Sequence, residues 1–153
     1  MAQVGSPRRR WASEEGSQLV EFALTLPLLL LVVLGIVEFG FIFQRYEVLT
    51  NAAREGARIA VLPGYQQADV EARVRAYLTA GGVPVTGGNP TIPAMVIVPT
   101  PTSVGPVNSR RVTVNYTYTF TFLSVIDQWF GTTYAILPMS AVSEMRIETP
   151  AAP

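Results

Sequence analysis

The chain has 153 residues, 11 acidic and 11 basic side chains, and neither histidine nor cysteine. A net charge of zero argues against a nucleic-acid partner. The missing cysteine removes disulfides and thiolate metal sites, and the missing histidine removes the commonest general base and metal ligand. Because 49% of the residues are hydrophobic and only 14% charged, the composition suits a membrane anchor followed by one small domain.

Residues Met1 to Glu15 are polar, and Arg8, Arg9 and Arg10 form their one basic cluster. Basic residues beside a span tend to stay in the cytoplasm. This places the N-terminus inside and the bulk of the chain outside. An ordinary secretory signal fits less well, since the apolar run that follows is too long and no A-x-A-like site comes directly after it. A twin-arginine signal is only loosely matched by Arg8-Arg9-Arg10-Trp11.

From Gly16 to about Leu62 the pattern predicts one long helix. Phe22 to Val37 carries no charge, and Phe39-Gly40-Phe41-Ile42-Phe43 resumes the run past Glu38. A run of more than 18 apolar residues nearly free of charge reads as a membrane span, because core helices are seldom apolar on every face for so long. At about 1.5 Å per residue, Ser17 to Leu62 would measure roughly 70 Å. The hydrocarbon layer is only about 30 Å thick, so the helix is expected to continue outside it. Pro27 removes one backbone bond and favours a kink. Gly35 and Gly40 would let a second helix approach closely. A carboxylate at Glu38 has two readings, an interfacial residue near the outer surface or a contact to a partner.

Past Gln44 the helix becomes amphipathic. Tyr46, Leu49, Ala53, Gly56, Ala57 and Ala60 share one face, and Glu47, Asn51, Arg54 and Arg58 line another. Ala52, Gly56 and Ala60 form a small-xxx-small row suited to close packing, either on the chain's own sheet or on a neighbouring subunit. Pro63-Gly64 should end the helix.

Gln66 to Ala80 predicts a second helix with Val70, Val74, Tyr77 and Leu78 on one face and Gly81-Gly82 as its stop. Residues 82–93 read as a loop. Met95 to Val98 reads as a short strand, and Pro99 to Ser109 as a second, mobile loop. Arg111 to Leu123 alternates strictly, with Val112, Val114, Tyr116, Tyr118, Phe120 and Phe122 on one side and threonines with Asn115 on the other. These aromatics suit a core better than a ligand platform. Ser124 to Phe130 could form a helical turn capped by Ser124. A last strand runs from Leu137 to Glu148, with Leu137, Met139, Ala141, Met145 and Ile147 on one face, and a frayed tail follows. The expected class is α+β: a long N-terminal transmembrane helix that continues outside the membrane, a second helix, and a small antiparallel sheet of about three strands.

No catalytic, metal or cofactor motif stands out. Asp127, Glu144 and Glu148 are separated carboxylates of the solvated kind, so an enzyme is not expected.

Two resemblances bear on function. Gly16 follows the basic segment, and Glu21 stands five residues later at the head of the apolar run. This resembles the processing site of type IV pilins and pseudopilins, in which a prepilin peptidase cuts after the glycine. The resemblance implies cleavage between Gly16 and Ser17, with Glu21 as the fifth mature residue. Many members carry Phe first, where this chain has Ser17, so N-methylation of the new terminus is not implied. The segments Gln18-Leu19-Val20-Glu21-Phe22-Ala23-Leu24, Pro27-Leu28-Leu29-Leu30-Leu31, Gly35-Ile36-Val37-Glu38-Phe39-Gly40 and Leu49-Thr50-Asn51-Ala52-Ala53-Arg54-Glu55-Gly56-Ala57-Arg58 resemble the TadE-like family. Its members are pseudopilins of the Tad (tight adherence, Flp pilus) system. The likeness covers roughly the first 45 residues after Gly16.

The residue pattern itself divides the chain into a transmembrane and extramembrane helix over 17–62, an extracytoplasmic head over 63–149 and a tail over 150–153, and the resemblance implies that the leader over 1–16 is cleaved. It further implies a single-pass protein of the cytoplasmic membrane. Its partners would be prepilin peptidase, other pilus assembly proteins, pilin subunits and the lipid bilayer, with its place in the fibre or at its base left open. Glu21 and Glu38 are the candidates for charge pairing in assembly. The alternative is a permanently anchored protein whose head binds a partner.

Overall fold

The computed structural model describes residues 11–103, 105–122, 124, 128, 131 and 135–147, without the side chains of residues 11–15 and Thr102. The chain forms two compact units, Met1–Phe39 and Gly40–Pro153. The described part of the first unit is helical throughout. It belongs to α1, Trp11–Ala60, which runs on into the second unit.

α1 is already helical ahead of Gly16, because Ala12, Glu14 and Glu15 are sound helix formers and neither Gly nor Pro lies between Trp11 and Glu15. Pro27 lies inside it without ending it. The Thr25 hydroxyl donates to the Glu21 carbonyl one turn back, the back-bonding habit of helical threonine. The helix ends at Ala60, short of the predicted Leu62, and Gly64 turns the chain at φ +89.

The second unit is an α+β head. α2 spans Gln67–Ala80, and the Gln66 amide donates to the Asp69 carboxylate at 2.9 Å, which fixes its start. The sheet has three strands in the order β1-β2-β3: β1 Val96–Thr102, β2 Gly105–Thr119 and β3 Ile136–Arg146. Both pairings are antiparallel, with Val114 opposite Ala141 and Ile97 opposite Arg110.

The core lies on one face of this sheet. Leu49, Ala53, Ala57 and Ala60 from α1 meet Val70, Val74 and Leu78 from α2 over Val112, Val114, Tyr116 and Tyr118 of β2. At about 25 cal/mol per Å² of buried apolar surface, this common core is the main stabilising term of the head. The side chains of β2 alternate as the sequence predicts, and Tyr118 is only 1% exposed.

Four expectations need correction. The stretch from Pro99 to Ser109 is not a loop: β1 and β2 make a hairpin there, pairing Pro99 with Asn108 and Pro101 with Pro106. β1 is an edge strand, where a residue without an N–H leaves no ladder bond unmade on the outer side. β2 ends at Thr119, before Phe120 and Phe122. Tyr46 is 48% exposed because it lies one turn before Leu49, the first fully buried apolar residue of α1. Tyr77 is also exposed, and Val70, Val74 and Leu78 fill the α2 face without it.

The predicted loop over 82–93 also does a sheet's work. Thr91 exchanges backbone bonds with Asn115. The Asn89 side chain donates to the Thr117 carbonyl at 2.8 Å and accepts from its amide at 3.0 Å, so it stands in for a strand residue beside β2. Apart from Ser124 and Gln128, the turn expected over 124–130 falls outside the described residues, as do the tail and the arginine cluster.

Candidate functional site

The part of the chain that the head's core does not use is the first half of α1. From Leu19 to Phe43 its large side chains are exposed almost without exception, and they are Leu, Val, Ile and Phe. The described helix over 16–60 is long and apolar enough to cross a membrane. An exposed apolar surface of this extent marks contact with a membrane or another protein.

Gly16 and Ser17 lie within α1, and a Cβ placed on Gly16 would meet nothing within 4 Å. The same holds at Gly35 and Gly40. Glu21 is exposed. It stands one helical turn after Ser17 on the same face. Glu38 is 4% exposed, although Phe39 beside it is open. Burial of a carboxylate demands a polar or charged neighbour, and Glu38 is engaged in such an interaction.

Ala52, Gly56 and Ala60 are buried within the head. A Cβ on Gly56 would stand 2.6 Å from Val74 Cγ2 and 3.3 Å from Val112 Cγ1. The small-residue row is therefore covered by the chain's own α2 and β2.

Charged groups fasten α1 to the rest of the head. The Arg45 guanidinium donates to the Tyr116 hydroxyl at 3.1 Å and lies 5.1 Å from the centre of the Tyr118 ring. The Phe120 ring meets Tyr118 edge-on. Arg110 of β2 donates to the Ala60 carbonyl at 2.7 Å, satisfying an acceptor at the end of α1.

Glu55 accepts from Arg58 at 3.1 Å and from Arg73 of α2 at 2.8 Å. Arg58 and then Arg73 hold its carboxyl below the ordinary 4.5. A groove of about 530 Å³ runs beside this triad, with Ile59, Leu62 and Tyr65 among its walls. Both Glu55 oxygens are occupied by guanidinium donors, and Asp69 is taken up by the α2 start. These carboxylates serve as structural acceptors. Sequence spacing alone did not reveal the partners of Arg45, Arg73 and Arg110, since each lies on a different element from its acceptor.

A family model described as TadE-like protein matches residues 16–58. The matched stretch begins at Gly16 and takes in the apolar half of α1 and its first turns inside the head. Over this stretch the chain is similar to that family. The chain matches no curated protein and no solved structure.

Proposed function

We propose that the chain is a pseudopilin-like subunit or assembly factor of a Tad/Flp-type pilus, held in the cytoplasmic membrane by α1 with its head outside. The observation that supports this best is the coincidence of the TadE-like match with the helix whose apolar side chains stay uncovered. In this reading prepilin peptidase removes residues 1–16 and leaves Ser17 as the new terminus. The Ser17 amine, charged at neutral pH in water, then lies on the same helix face as Glu21. It can neutralise that carboxylate in its own chain or in a neighbouring pilin-system subunit. Structural work, without catalysis or cofactor, is what this role asks of the head.

The second reading is a permanently anchored single-pass protein whose leader is never cut. N-terminal sequencing and intact mass of the protein taken from membranes separate the two. The pilus reading expects a chain that starts at Ser17. A chain that keeps Arg8–Arg10 would instead make this a permanently anchored protein with a partner-binding head.

A further inference from the structure

We propose that the hydrocarbon layer surrounds residues 24–43 of α1, with Tyr46 among the outer headgroups, rather than residues 19–38, a window that begins at Leu19, the first large apolar residue after Gly16. The proposal rests on the reading of α1 as a membrane anchor and adds where the lipid begins and ends on it.

Both windows hold twenty residues, about 30 Å of helix at 1.5 Å per residue, which fits the layer. Both contain Glu38, which is 4% exposed. They differ at their ends. The window over 19–38 puts Glu21, an exposed carboxylate, inside the lipid. It also leaves Phe39, Phe41 and Phe43 outside, although all three rings are exposed and Phe43 is 71% so. The window over 24–43 puts those rings in hydrocarbon and returns Glu21 to the inner headgroups.

The outer boundary has its own marker. Tyr46 is the next exposed ring after Phe43, and its hydroxyl suits the interfacial layer where tyrosine gathers. Arg45 does not oppose this placement, since its charge is held on the Tyr116 hydroxyl and the Tyr118 ring. Glu47 is the first exposed charge beyond. Between Glu21 and Glu47 no exposed side chain is charged.

The chain lacks cysteine, so single cysteines can carry a nitroxide without further change. Leu19, Val20, Val33, Phe41 and Phe43 are exposed, and each is replaced singly by Cys in the full chain. The labelled proteins are reconstituted at low density in phosphatidylcholine vesicles. Collisions with dissolved oxygen report lipid, and collisions with a water-soluble nickel chelate report water.

The expected result is high oxygen and low nickel access at 33, 41 and 43, with nickel access several-fold higher at 19 and 20. Low nickel access at 19 and 20 overturns the proposal. So does high nickel access at 41 and 43 with 33 shielded, which leaves the anchor itself standing. Low access to both reagents at 41 and 43 means that protein covers them, and likewise overturns it. High nickel access at 33 defeats the anchor and the proposal together.

Discussion

Two glycines of α1 show how the same residue serves different ends. Gly56 is required by packing, because any side chain there enters Val74 and Val112. Gly56→Leu should overfill the head and destabilise it by about 1–3 kcal/mol. Thermal unfolding of the full chain in detergent would show a lowered midpoint, and an unchanged midpoint would refute the close approach. Gly16 has open space around it, so the fold does not call for glycine there. Gly16→Arg should leave unfolding unchanged but block cleavage by crowding a peptidase pocket suited to a small residue. If the variant and the wild type migrate alike when co-expressed with the native peptidase, processing at this bond is wrong. The spacing of Ala52, Gly56 and Ala60 already reveals a row of small residues. It does not reveal what approaches them, because a helix, a sheet and a neighbouring subunit all favour the same pattern.

At the scale of elements, strong periodicity translated well. α2 and the buried side of β2 follow their apolar spacing closely. β1 did not, because proline and threonine between Val98 and Ser109 carry loop chemistry. The paired strand supplied by β2 overrides that local preference.

The bond between α1 and α2 through Glu55 makes a pH prediction. Arg58 and Arg73 lower the folded carboxyl's affinity for its proton relative to the ordinary 4.5. Stability from this group is therefore complete above that value and is lost as pH falls through the lower folded one. Glu55→Gln should melt below wild type at neutral pH, and the gap should close on acidification below about 4.5. A gap that is constant across this range would show that the charge does not matter. Arg45 adds a second link, to a Tyr116 that is buried. Arg45→Met should destabilise the head by about 1.5–3 kcal/mol, the usual worth of a hydrogen bond to a charged group. Tyr116→Phe should recover part of the deficit in the double variant, and additive losses would argue against a direct link.

At the scale of the whole molecule, the proposed role separates anchoring from assembly. Glu21→Gln keeps the size of the side chain and removes its charge. The variant should insert and be cleaved, yet cross-linking of membranes should capture fewer pilus-system partners than wild type. Equal capture with normal piliation would reduce Glu21 to an interfacial residue. The positive-inside reading of Arg8–Arg10 expects external protease to digest the head in cells stripped of their outer barrier. Full protection of the head with the cytoplasm intact would reverse the orientation.

The hydrogen bond from Arg110 to the Ala60 carbonyl has a consequence for how the protein is made. The donor is synthesised 50 residues after its acceptor. While the ribosome is still reading the intervening segment, the last turn of α1 lacks this cap and frays at its newly made end. Only when β2 has emerged and docked does the helix acquire its final boundary. Arrested nascent chains ending before residue 110 should therefore show faster amide exchange at residues 57–60 than released full-length protein.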